Sequence, residues 1–380
     1  MSRGAHSADR AAFLGCGLLA VLVFLLMAPP ASAAEPRGSD ASASIINGQS
    51  TTISKWPWQV AITVARSVAP RASTAGRFFC GGSVLAPRLV VTAGHCVSYL
   101  KKSQITKIEV VSGRTRLNSN QGEVARVSNL RMPVNLAGKR RYRSIQGAAD
   151  WDVALLHLAT PLSAEPIKLA GPDEEASWAP GQLAWTTGWG STDGFADRVP
   201  ARLQVTRQVI MSNALCRRAD GVAFQPTRMV CMGGPGGNSS TCVGDSGGPL
   251  VVRTSDGYRL VGLTSYGDGA CSGNIPSVDT RVAGDPIRRW VQRTAMNLAG
   301  VDVLGRGGAA VPAPDWCEVP RVYGLKPYRA RLLLEASNCR LGTVRVDPWS
   351  VGRRGRISGQ SRMWGWLAPP GFPIRVWVAP

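Results

Sequence analysis

Apolar residues along most of this chain come in short runs broken by Gly, Pro and Ser, as in Val60 to Val64, Ser83 to Thr92, Leu203 to Ile210 and Leu250 to Arg253. Runs this short between turn formers read as β-strands, and many in succession predict an all-β sandwich or a pair of barrels. The pattern changes near residue 285. From Asp285 to Leu298 the apolar positions Ile287, Trp290, Val291 and Met296 fall at helical spacing, which predicts one helix with Trp290 as core packing. It also differs at the start, where Ala11 to Ala28 is one apolar stretch begun by Arg3 and Arg10 and followed by Ala31-Ser32-Ala33. That is the form of a secretory signal peptide over residues 1–33, cut before Ala34; the stretch is nearly long enough to cross a bilayer, so a retained anchor also fits. Cys16 precedes most of the apolar run instead of following it, which argues against lipid attachment. Either way the chain is expected outside the cell.

The polar residues 34–44 hold too few apolar side chains to fold alone and read as a short propeptide. Residues 301–314, rich in Gly, Ala and Pro, read as a linker. Between them a folded portion of about 250 residues would bury about three quarters of its unfolded surface, enough for a core without metal or cofactor. Beyond the linker, residues 315–380 carry Trp316, Trp349, Trp364, Trp366 and Trp377 among many arginines. Alternation in Leu341 to Val346 and in Arg375 to Val378 predicts a small, mostly β module. Its tryptophans fit the needs of a small core. They also fit stacking on a ligand, with a cell-surface glycan or other polyanion preferred to nucleic acid because the chain is exported.

The chain has 44 basic and 24 acidic residues, a formal charge of +20. Charge on this scale attracts any polyanion and by itself names none. Lys139-Arg140-Arg141-Tyr142-Arg143 is the densest cluster and reads as a solvated surface loop, with an exosite for acidic protein or a self-cleavage site as the other readings.

Candidate chemistry centres on Gly244-Asp245-Ser246-Gly247-Gly248-Pro249, where one serine stands among glycines whose backbone N–H groups are free to face an oxyanion. A serine hydroxyl is a poor nucleophile near neutral pH and needs a general base with a group to orient it. Thr92-Ala93-Gly94-His95-Cys96 supplies a histidine, and Asp152-Val153-Ala154-Leu155-Leu156 supplies a carboxylate opening an apolar run. The order His, Asp, Ser is one of the known triad orders.

With these motifs the sequence resembles the chymotrypsin/trypsin family of serine endopeptidases from about Ile45 to about Leu298. The likeness extends to Ile45-Ile46-Asn47-Gly48, Trp56-Pro57-Trp58-Gln59-Val60, Cys80-Gly81-Gly82-Ser83, Thr187-Gly188-Trp189-Gly190 and Ser265-Tyr266-Gly267. It implies a domain over residues 45–300 made of two six-stranded antiparallel β-barrels, with the triad in the cleft and a C-terminal helix. By the same resemblance Ser246 attacks a peptide carbonyl, His95 moves the proton, Asp152 holds the imidazole, and the N–H groups of Gly244 and Ser246 form the oxyanion hole. Family spacing pairs Cys80 with Cys96, Cys216 with Cys231 and Cys242 with Cys271; Cys317 and Cys339 are left as a pair in the tail. No cofactor or metal is expected, and the partners are protein or peptide substrates.

Asp245 in this family pairs with the ammonium released at Ile45, so the uncleaved chain is expected to be a largely inactive zymogen. Ser44, not Arg or Lys, precedes Ile45, which points to self-processing or an activating protease that cuts after a neutral residue. By position Ser240 lies at the floor of the substrate pocket, and Ser265, Gly267 and Ser277 line it. A neutral floor with small walls favours a large apolar or aromatic side chain. Asp279, where relatives often carry tyrosine, favours Arg or Lys if it faces the pocket. The contrasting functional class is a catalytically idle scaffold whose basic tail binds a polyanion.

Overall fold

The computed structural model describes residues 48–191, 200–235, 240–267, 271–273 and 275–380. The expected signal peptide, the propeptide and Ile45 lie outside the described residues. Strands β1 (Gln59–Val64), β2 (Phe78–Ala86), β3 (Leu89–Thr92), β4 (Ile108–Ser112), β5 (Glu123–Arg131) and β6 (Ala154–Leu158) close into one antiparallel barrel in the order β1-β2-β3-β6-β5-β4. Both faces of β6 are buried. Ala154, Leu156 and Leu158 point into the barrel core, while Leu155 packs in a second core shared with the other barrel. A strand covered on both sides reads as an unbroken apolar run, which is how Ala154 to Leu158 appears in the sequence.

The second barrel comprises β7 (Leu183–Gly188), β8 (Gln204–Ile210), β9 (Met229–Gly233), β10 (Pro249–Thr254), β11 (Gly257–Tyr266) and β12 (Ser277–Arg281). Its order is β8-β7-β10-β11-β12-β9, and pairing of β8 with β9 at Val209 and Gly233 closes it. Helix α1 (Asn213–Asp220) joins β8 to β9, capped by the Ser212 hydroxyl, which accepts the Leu215 N–H. Between the barrels Trp56, Trp58, Leu155, Trp189 and Leu263 form the central core.

Helix α2 (Ile287–Ala299) packs on that core through Ile287, Val291 and Ala295, with Trp290 and Leu298 partly buried against it. Met296, expected on the buried face, is half exposed. The residue four positions after Val291 is Ala295, and one step further turns Met296 toward solvent.

Residues 301–314, expected as a linker, are bonded along the second barrel. Leu169 N–H donates to Val303 O at 2.8 Å, Gly305 N–H to Leu169 O at 2.7 Å, and Ser255 N–H to Ala309 O at 3.0 Å. The buried Glu174 carboxylate fixes this strap, accepting from Gly308 N–H at 3.0 Å and from Arg259 Nε at 3.0 Å. A Cβ on Gly305 would collide with Arg259 Nε. Glycine here serves close approach, not flexibility.

The tail is a small β module with one helix that was not anticipated. Strand β13 (Cys339–Val346) runs parallel to β15 (Phe372–Val378), which pairs antiparallel with β14 (Ile357–Gln360). Helix α3 (Pro327–Ala336) starts on a proline and buries Ala330 and Leu334, four residues apart on one face. The tail core is continuous with the outer side of the second barrel: Val209, Met211, Leu215 and Phe224 form one cluster with Val319, Leu334, Trp366 and Ile374. The Trp366 indole is fully buried, donates to Gly234 O at 3.3 Å, and fills the space where a Cβ on Gly233 would lie. Trp349, by contrast, is 90% exposed.

The basic cluster at 139–143 is engaged with the protein surface. Arg140 donates to Ser98 O, Arg141 stacks over Trp151 at 4.6 Å, and Arg143 pairs with the buried Asp150 at 3.2 Å. The four disulfides are Cys80–Cys96, Cys216–Cys231, Cys242–Cys271 and Cys317–Cys339.

Candidate active site

Strands β3 and β6 are antiparallel neighbours with Thr92 opposite Ala154, so the chain after Thr92 and the chain before Ala154 emerge at the same end of the barrel. His95 and Asp152 therefore meet there. Asp152 is wholly buried; its Oδ1 accepts the His95 backbone N–H at 2.6 Å, and its Oδ2 lies 2.8 Å from His95 Nδ1. Ser265 Oγ also donates to Oδ2 at 2.6 Å, and Thr280 Oγ1 donates to the Asp152 backbone carbonyl at 2.8 Å. The carboxylate is thus fixed from both barrels. It assigns the proton on His95 to Nδ1 and leaves Nε2 for chemistry. Burial lowers the His95 pKa, but the hydrogen bond and charge of Asp152 outweigh it and hold the imidazole above its ordinary value.

Ser246 lies on the loop that enters β10. Gly81 N–H donates to Ser246 O at 2.8 Å, which pins the loop to β2 in the first barrel. Cys96 Sγ stands 3.7 Å from His95 Nε2 and 3.8 Å from Ser246 O, so the histidine edge and the serine flank the same sulfur. At Gly247 (φ +76°) a Cβ would collide with Thr92 Oγ1, so only glycine lets the two barrels close here. The N–H groups of Asp245, Gly247 and Gly248 are engaged by Cys242 O, Thr264 O and Asp245 O. Those of Gly244 and Ser246 have no acceptor among the described residues. Two such free donors beside a serine suit a developing oxyanion.

Asp245 points away from the cleft into the protein and is fully buried. Gly190 N–H donates to its Oδ1 at 2.9 Å and Cys242 N–H to its Oδ2 at 3.0 Å. Burial raises its pKa to about 6 against the opposing pull of these two bonds, and no cation among the described residues pairs with it.

A family model described as Trypsin matches residues 45–291. The chain belongs to the trypsin family. It is 37% identical over 239 residues to a protein named trypsin from Saccharopolyspora erythraea, a match that covers 63% of this chain and 93% of that one. It is 32% identical over 256 residues to human transmembrane protease serine 5, covering 67% of this chain and 52% of the relative. The trypsin-family region carries serine endopeptidase chemistry, and the tail beyond it lies outside the family match.

In this trypsin-family cleft the Cys242–Cys271 disulfide joins the Ser240 segment to the segment that leads into β12. Ser240 and Ser277 are both buried, with their hydroxyl oxygens 3.0 Å apart, and Ser240 donates to Thr241 O at 2.9 Å. Gly267 is exposed, and a Cβ there would contact Ser277 Oγ at 3.4 Å. Asp279 is fully buried on the same strand as Ser277, and neither of its oxygens has a hydrogen-bond partner among the described residues. Burial first, then the charges of Asp245 and Asp152, push its pKa well above the carboxylate range. The support of Asp152 by Ser265 and Thr280 was not anticipated: Ser265, expected to line the pocket, turns its hydroxyl to the Asp152 carboxylate, and Thr280 stands in no quoted motif. Cys80, Cys96 and His95 bring three ligand-type atoms within 4.8 Å, but two are the sulfurs of one disulfide and offer a metal no thiolate.

Proposed function

We propose that this trypsin-family chain is an exported endopeptidase in which Ser246 is the nucleophile, His95 the general base and acid, and Asp152 the group that orients His95. The observation that carries the reading is the His95–Asp152 pair, beside a serine whose own N–H and that of Gly244 are unengaged among the described residues. Attack by Ser246 on a peptide carbonyl gives a tetrahedral intermediate whose oxyanion faces the two free N–H groups, each worth about 3 kcal/mol in the transition state. His95 passes the serine proton to the leaving amine, and water then releases the acyl group by the same route. Labelling of the mature chain by a fluorophosphonate tests this. A single adduct on Ser246 is expected, and an unlabelled, folded protein would instead favour an idle scaffold.

The same reading makes the chain a zymogen. Asp245 is a buried carboxylate in want of a cation, and the ammonium freed by cleavage at Ser44-Ile45 is the family's partner for it. Ser44 directs activation to self-processing or to a protease that cuts after neutral residues. The leader fits secretion, or display at the cell surface if it is retained. In the tail, Arg345, Arg353, Arg354 and Arg375 are exposed together with Trp349, which suits contact with a cell-surface polyanion. For the substrate side chain, the neutral Ser240–Ser277 floor suits large apolar residues, and Asp279 suits basic ones.

A further inference from the structure

The outer face of the tail sheet carries side chains that take no part in its core. Ile374, Val376 and Val378 of β15 are buried on the inner face, which turns Arg375 and Trp377 outward. Trp377 stands opposite Arg345 of β13 on one side and opposite Gly359 of β14 on the other. Directly opposed residues share one face, so a tryptophan and an arginine meet across the sheet. A Cβ on Gly359 would lie 3.3 Å from Trp377 Cε3, so the indole leans against bare backbone. Beside it is a cleft of about 600 Å³ lined by Tyr323, Arg345, Asp347, Gly359, Gln360 and Trp377.

The Gln360 amide ties the walls of this cleft together. Its Oε1 accepts the Val322 N–H at 3.0 Å, and its Nε2 donates to Pro320 O at 3.1 Å and to Arg362 O at 2.8 Å. Asp347 Oδ1 accepts the Trp349 N–H at 3.1 Å, and its Oδ2 has no partner among the described residues. A second cleft of about 390 Å³ shares Tyr323 and Gln360 with the first and runs on to Arg362, Trp364 and Arg218 of α1. There the Trp364 ring carries Arg218 at 4.9 Å and Arg321 at 5.4 Å, which holds both guanidiniums in place. Ser361 N–H donates to Arg375 O at 2.9 Å and Arg375 N–H to Ser361 Oγ at 3.1 Å, which sets Arg362 beside Arg375. Burial first, then the Arg375 charge, lowers the Arg362 pKa. The groove is therefore cationic along its length, with one carboxylate beside a partly exposed indole.

A chain of phosphates would meet the arginines but would give Asp347 no proton donor and Trp377 no flat apolar face. A pyranose supplies both, through its hydroxyls and its C–H face, and a ring carboxylate adds the anion. Two adjoining clefts suit a run of such rings better than a single sugar.

We propose that this groove binds an acidic polysaccharide. One pyranose stacks on Trp377 and hydrogen-bonds Asp347, while carboxylates along the chain meet Arg345, Arg375 and, further on, Arg362 and Arg218. This rests on the polyanion reading of the tail and names the class of polyanion and the place that holds it.

The test is calorimetric titration of the full-length chain at physiological ionic strength with four probes: an oligogalacturonate, its full methyl ester, inorganic polyphosphate and a single-stranded DNA oligomer. Oligogalacturonate should bind saturably and tightest, and the ester, with the same rings and no charge, about 10-fold or more weaker. Trp377→Ala should weaken oligogalacturonate about 10-fold, the scale of a lost stacking contact. Arg345→Ala should weaken oligogalacturonate and leave the ester unmoved, and the ester comparison on the unmutated chain holds even if a variant fails to fold. Equal binding of the ester, equal or tighter binding of polyphosphate or DNA, or an affinity unmoved by Trp377→Ala overturns the inference. Where a polyanion still binds, the polyanion reading of the tail survives; where no probe binds, both fall.

Discussion

Removing the charge of Asp245 should change the pH dependence of stability in the uncleaved chain, and the size of the change follows from its surroundings. The carboxyl is fully buried, holds only the Gly190 and Cys242 N–H bonds, and has a pKa raised from 3.8 to about 6. A folded-state pKa above the unfolded one means that the folded chain holds the proton more tightly. The associated stability is therefore complete below pH 3.8 and is lost as pH rises through 6. A rise of about two pKa units corresponds to about 3 kcal/mol. The perturbation is Asp245→Asn in a chain that retains Ser44 and carries Ser246→Ala to prevent self-processing. Asparagine cannot accept both N–H bonds, so it brings a loss of about 1–3 kcal/mol that does not vary with pH. The informative quantity is the stability of the chain that keeps Asp245 minus that of the Asp245→Asn variant, from urea unfolding at a series of pH values. It should fall by about 3 kcal/mol between about pH 4 and about pH 7. In the form cleaved before Ile45, an ammonium beside Asp245 should lower the carboxyl pKa and remove or reverse that fall. A difference independent of pH in the uncleaved chain, or the same fall before and after cleavage, would refute the ion-pair account of activation.

Four further outcomes follow from the site and the core. Ser246→Ala should abolish hydrolysis of peptide and ester substrates while unfolding as the parent does, since it removes the nucleophile at little change in volume; turnover near that of the parent would refute the assignment of Ser246. The kcat/KM of the mature enzyme should rise with pH through a midpoint above 6.5, because His95 must lose its proton to act and Asp152 holds that proton. Asp152→Asn should move this limb to lower pH while cutting kcat, and a limb that stays in place would separate Asp152 from His95. Trp366→Ala should cost about 3–5 kcal/mol, as expected for a fully buried indole whose site cannot collapse around Gly233. It should shift one cooperative transition of the whole molecule, so an early separate melting of the tail with an unmoved protease transition would be the contrary result.

What the sequence revealed and what it hid divide along a physical line. His95, Asp152 and Ser246 sit in short contiguous motifs because their backbone geometry is local: a glycine at 247 for the contact with Thr92, an apolar strand directly after Asp152. Such constraints leave their mark on adjacent residues. The strand-length apolar runs likewise pointed to an all-β sandwich or a pair of barrels, and the family resemblance selected the barrels. By contrast, the tail cleft draws Arg345, Gly359 and Trp377 from three different strands, and only the pairing register brings them to one face. The strap at 301–314 misled by composition, since its glycines look like those of a flexible connector until Arg259 and Glu174 are found against them.

The tail shows how the same limit bears on function. A tryptophan-rich basic segment after a Gly/Pro stretch suggests an independent binding arm, yet Trp366 lies in the shared core and Trp316 donates its indole N–H to Gly181 O at 2.8 Å. Trp364 is held between Arg218 of α1, at 4.9 Å, and Arg321 of the tail, at 5.4 Å. These three rings are committed to fixing the tail on the protease, which leaves Trp349, the partly buried Trp377 and the exposed arginines for any outside partner. The docking also reaches the chemistry. Gly233 ends β9, whose other neighbour is β12, the strand that carries Ser277 and Asp279. A tail that shares its core with β9 and with Val278 of β12 packs behind the strand that carries Ser277 and Asp279, so truncating the tail would uncover that strand's apolar backing along with the outer side of the second barrel.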